Sequence, residues 1–74
     1  MNLETLKTDI VAQMGKQRGE ILTQPDTIDN RIFIAQYNMT INDISKARTI
    51  KEVKIRLDEF GFIVYLITGK KISA

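Results

Sequence analysis

Between residues 40 and 60 the chain signals a helix start twice within nine residues, and this spacing limits its architecture more than any other feature. Thr40-Ile41-Asn42-Asp43 and Thr49-Ile50-Lys51-Glu52 each set a threonine three residues before an acid. That arrangement satisfies orphan amide groups at a helix N-terminus. Two starts so close predict a short helix over 41–47, a turn at Arg48 and a second helix over 50–60. The second has its apolar stripe at Ile50, Val53, Leu57 and Phe60, and Gly61 stands where a helix stop is expected. Beyond it, residues 62–67 read as a strand, with Phe62, Val64 and Leu66 on one side and Ile63, Tyr65 and Ile67 on the other. Both faces are apolar, so both need cover. Thr68-Gly69-Lys70-Lys71 reads as the turn that folds this strand back. A rival reading runs one unbroken helix from 41 to 60, which the stripe Ile44, Ala47, Ile50, Val53, Leu57, Phe60 permits.

The first half is simpler. Leu3, Leu6, Ile10 and Met14 recur at steps of three and four, which predicts an amphipathic helix over 2–21. Pro25 pushes the residue before it away from helical geometry and closes that element at Thr23-Gln24-Pro25-Asp26. Residues 27–39 admit two readings. Ile28, Ile32, Ala35 and Met39 repeat at four, three and four, with Asp26 as cap and Asp29 in the first turn. Phe33, Ala35, Tyr37, Met39 and Ile41 alternate instead, as a strand would. Length and capping favour the helix, with residues 37–39 left extended.

Seventy-four residues hold one core. So short a chain buries only roughly 60–65% of its unfolded surface, which makes dimerisation the expected addition to its stability. There is no cysteine and no histidine, so neither a disulfide nor an ordinary structural zinc site is expected. The charges in 1–7 sit where a signal peptide needs its apolar stretch, and no apolar run approaches the ~20 residues of a spanning helix. A cytoplasmic protein with no membrane role is expected.

Charge is uneven. Residues 1–39 carry four basic side chains against five acids, a net of −1, while residues 40–74 carry seven against four, a net of +3. The second part is the expected anionic-partner surface.

From residue 26 onward the order of helix, short extended piece, two helices and hairpin resembles the winged helix-turn-helix family. Met39-Thr40-Ile41-Asn42-Asp43-Ile44 is similar to the family's entry into its second helix. Ile50, Val53, Leu57 and Phe60-Gly61-Phe62 are similar to its recognition helix running into the wing. The resemblance implies a mainly helical α+β fold: a winged-helix-like three-helix core over 26–74 with a C-terminal β-hairpin, preceded by an extra N-terminal helix over 1–22. It implies Thr49, Lys51, Lys54 and Ile55 near bases in the major groove, with Lys70 and Lys71 on phosphates.

On the residues alone, Lys51, Ile55, Asp58 and Glu59 point outward from the helix over 50–60, flanked by Lys54 and Arg56. Such a face suits duplex DNA at its lysine end and a protein at its centre, and it is also what a solvated helix looks like. Lys46 and Arg48 flank the turn within reach of a DNA backbone. Leu3, Leu6, Ile10 and Met14 serve either the core or a dimer seam, and Ile63, Tyr65 and Ile67 offer an outer strand face to a partner. Without imidazole or thiol there is no evident catalytic base or nucleophile. Gly69-Lys70-Lys71-Ile72-Ser73 lacks the glycine and hydroxyl positions of a phosphate loop. No catalytic residue, metal, cofactor or small-molecule substrate is expected. The leading expectation is a dimeric, non-enzymatic DNA-binding accessory or regulatory protein of the size of phage and plasmid regulators. The alternative is a protein-interaction module, an adaptor or inhibitor.

Overall fold

A computed structural model describes residues 2–68, the last two by backbone alone. They form three helices: α1 (Leu3–Leu22), α2 (Ile28–Lys46) and α3 (Ile50–Thr68). The fold is a helical bundle, and no strand occurs among the described residues.

Each helix start has a local cause. Asn2 caps α1, its side-chain oxygen accepting from the Thr5 amide at 2.8 Å. Thr27, not Asp26, caps α2 by accepting from the Asn30 amide at 3.1 Å. Asp26 instead holds Arg31 through two 2.7 Å bonds, and Asn30 Nδ2 donates to the Pro25 carbonyl at 2.8 Å. These contacts fix the α1–α2 turn. At the second turn Thr49 Oγ1 accepts from the Glu52 amide at 3.1 Å, and the Glu52 carboxylate accepts from the Arg48 amide at 3.2 Å. That is a reciprocal capping box displaced by one residue. Lys7 Nζ reaches across from α1 and donates to the Ala47 carbonyl at 2.9 Å, tying down the end of α2.

Three expectations are corrected here. The break expected near residues 37–41 does not occur, because α2 runs through it as one helix of 19 residues. Thr40 is no cap but a buried residue in the middle of α2. The chain does turn at 47–49, so the unbroken helix over 41–60 is also excluded.

The largest correction falls on the expected α+β class. Gly61 does not stop α3, and residues 62–67 are helical. The core explains why. Val53, Phe60 and Val64 are buried and Leu57 packs beside them, which is one stripe at steps of four, three and four. Continuing the helix past Gly61 costs about 1 kcal/mol. Burying Val64 returns roughly 1.5–3 kcal/mol, while a strand there would need cover on two faces. With no strand at 62–67, the winged-helix-like architecture is not this protein's fold. Lys70 and Lys71, expected in the turn after that strand, and the residues that follow them lie outside the described residues.

The core lies along α2. Phe33, Tyr37, Thr40 and Ile44 line its inner face, again at steps of four, three and four. Met14 comes from α1, and Val53, Phe60 and Val64 from α3. Leu3, Leu6 and Ile10 pack against this cluster. The Tyr37 ring sits 4.8 Å from that of Phe60, tilted by 55°. Its hydroxyl donates to Gln17 Oε1 at 3.0 Å. Among the described residues no buried side-chain nitrogen or oxygen lacks a hydrogen-bond partner.

Candidate functional site

The α2–α3 turn gathers the basic residues. Lys46 ends α2, Arg48 and Thr49 form the turn, and Lys51 and Lys54 lie in the first turns of α3. All five are exposed. Arg48, Lys51 and Lys54 make no ion pair with the described residues. Over residues 43–54 the balance is four cations against Asp43 and Glu52, a net of +2. Lys46 has a local role as well, since a cation is favourable beside the C-terminal carbonyls of a helix. Lys7 adds little to this surface, because it is spent on the Ala47 carbonyl and lies 3.9 Å from Glu4.

Ile55, 44% exposed, stands on the outer face of α3, away from the core stripe. It continues into a line that the strand reading had divided. Ile55, Phe62 and Leu66 are spaced at seven and four residues, so they share one helix face. Phe62 is 61% and Leu66 65% exposed, with Tyr65 beside them at 43%. The grouping of Ile63, Tyr65 and Ile67 dissolves, because residues two apart share a strand face but lie about 200° apart on a helix. Ile63 is half-buried and Tyr65 exposed, while the side chain of Ile67 lies outside the described residues.

The sequence reading missed a second surface, on α2. Ile28, Ile32, Ala35 and Met39 marked a helix. At 100° per residue they fall about 140° away from the buried stripe of the same helix. All four are exposed, Ile28 at 76% and Met39 at 60%. The signal was present: α2 carries two stripes of identical spacing, and only one can face the core.

Other features offer less chemistry. An open groove of about 470 Å³ between α1 and α2 is lined by Glu4, Lys7, Thr8, Val11, Ala12 and Ser45, a set without an acid–base pair or a nucleophile aligned to a base. Among the described residues no three acidic, histidine or cysteine side chains are placed to hold a metal. No helix of the described residues is long and apolar enough to cross a membrane. Titration is perturbed in two places. The Arg31 guanidinium holds the Asp26 carboxyl below its usual range, and Asp26 in turn raises Arg31. Burial, and then the nearby Glu20 charge, push the Tyr37 hydroxyl up. Both are explained by structural contacts.

Comparisons with protein-family models, with curated proteins and with solved structures find no match for this chain. Its function is therefore read from its own surfaces.

Proposed function

We propose that the protein is a small non-enzymatic interaction module of the cytoplasm, binding other protein chains through the outer faces of its second and third helices. The observation that carries this reading is the doubling of apolar stripes. Most surface helices of a globular domain have one apolar face, turned inward. Here α2 and α3 each add an outward line of large apolar side chains: Ile28, Ile32 and Met39 on one, Ile55, Phe62 and Leu66 on the other. Scattered apolar residues are ordinary on a surface, whereas aligned ones mark contact faces. Helix faces of this kind dock against amphipathic helices or apolar grooves.

The test is affinity capture with the intact chain, compared with a Phe62→Ser/Leu66→Ser variant and an Ile28→Ser/Met39→Ser variant of equal helicity. A single partner retained through nuclease and high salt, and lost in one of the two variants, is the expected result. Capture that neither variant alters would overturn the reading.

One observation favours a second reading, duplex DNA as the partner: Arg48, Lys51 and Lys54 are exposed, make no ion pair with the described residues and are set around the start of α3. Three phosphate contacts give a slope of about −2.7 in log affinity against log salt. A gel-shift titration at low salt, with the Arg48→Ala/Lys51→Ala/Lys54→Ala variant beside it, separates the two. No retardation at micromolar protein removes the DNA reading.

A further inference from the structure

The outer stripe of α2 has an order of residues that fits itself. About a two-fold axis between residues 33 and 34, Ile28 meets Met39 of a second copy and Ile32 meets Ala35. The central contacts therefore set a large side chain against a small one on both sides, as interlocking helices require. A parallel arrangement would set Ala35 against Ala35 and leave a gap between the Ile32 and Met39 layers. We propose that this stripe is the seam of a homodimer in which two copies of α2 lie antiparallel, a proposal that rests on the interaction-module reading and names one partner for it.

Charge points the same way. The N-terminal end of α2 and its preceding turn carry Asp26, Asp29 and Arg31, a net of −1. The C-terminal end carries Asp43, Lys46 and Arg48, a net of +1. Antiparallel pairing sets the acidic end of one copy beside the basic end of the other, and the helix dipoles are opposed as well. Parallel pairing would set like beside like. Gln36 and Asn38, which border the seam at mid-helix together with Arg31, are neutral, and Asn38 is already held by Arg18 at 2.7 Å. A symmetric interface of this kind closes on itself and does not propagate into a fibre.

The seam is short. Eleven steps of 1.5 Å make it about 17 Å long, with four side chains from each copy. That falls below the ~800 Å² per partner of a stable complex, so the dimer is weak and concentration-dependent. The helices are already formed in the monomer, so little ordering opposes association.

Sedimentation equilibrium from about 10 to 500 µM tests the association. The expected mass climbs from one chain towards two, and Ile32→Glu, at an exposed position that leaves the core intact, holds it at one. Orientation is read by disulfide trapping, since the natural chain has no cysteine. An equimolar mixture of Ile28→Cys and Met39→Cys chains should oxidise to the mixed dimer at least several-fold faster than Ile28→Cys links to itself. A single-chain mass throughout overturns the inference and leaves the module reading to the capture experiment. Self-linking of Ile28→Cys as fast as the mixed pair overturns the antiparallel seam. So does self-association that survives Ile32→Glu and is lost in Phe62→Ser.

Discussion

Replacing Gly61 with alanine distinguishes the helix found here from the strand that the sequence invites. At a helix stop, a glycine typically takes the left-handed conformation that an alanine adopts only at a cost of about 1 kcal/mol or more. In the middle of α3 the sign reverses. Gly61 lies eleven residues after the start of α3 and seven before its end, and its φ is not left-handed. A methyl group built there meets nothing within 4 Å, so the substitution neither clashes nor gains much packing. What remains is helix propensity, about 1 kcal/mol in favour of alanine. For a domain of this size that raises the melting temperature by roughly 4–8 °C. Urea unfolding followed by circular dichroism at 222 nm should shift its midpoint upward with an unchanged slope. Gly15→Ala and Gly19→Ala in α1, where an added methyl also meets nothing, serve as controls of the same sign. Stabilisation by both controls with destabilisation by Gly61→Ala would refute the continuous α3 specifically, and with it the outward line of Ile55, Phe62 and Leu66.

Further outcomes follow from the core and the turns. Ile44 has no exposed surface, so Ile44→Ala should cost about 2–5 kcal/mol. Set against a total of roughly 4–11 kcal/mol for a chain of this length, the loss should leave a measurable unfolded fraction at 25 °C by urea titration. Thr49→Ala removes the cap of α3 and should cost about 1 kcal/mol, while Thr49→Ser should retain most of it; equal loss in both would remove the capping argument. The Tyr37 hydroxyl titrates above its ordinary value of 10.0 in the folded protein, so the folded state binds more protons than the unfolded state once pH passes 10. Stability should therefore be intact below that pH and fall as pH rises from there through the raised folded value. Tyr37→Phe should lose the Gln17 bond at neutral pH yet show a shallower alkaline decline, measured as the difference between the two proteins' unfolding midpoints.

Much of the local structure was legible in the residues. The first helix, its end before Pro25, the threonine cap at Thr49 and the change of direction at Arg48 are signalled by residues within about four positions of one another, which are neighbours whatever the rest of the chain does. Thr40-Ile41-Asn42-Asp43 shows the limit. It has the composition of a cap, but a threonine caps only where the preceding backbone leaves the helix, and Tyr37 and Ile44 on the same face hold that backbone helical by packing inward together.

Tertiary structure decided which faces are inside. On α2 the sequence offers Ile28, Ile32, Ala35, Met39 and Phe33, Tyr37, Thr40, Ile44 at the same spacing, and the first set looks the more hydrophobic. The second is buried because Tyr37 can stack on Phe60 and give its hydroxyl to Gln17, partners that come from two other helices. In the same way the six apolar residues after Gly61 carry no period strong enough to choose between strand and helix. The choice falls to Val64, which completes the stripe of Val53, Leu57 and Phe60 only if the helix continues. Caps and breaks are set by neighbours along the chain, whereas burial is set by neighbours in space. The candidate binding surfaces, being what burial leaves outside, appear only once those neighbours are in place.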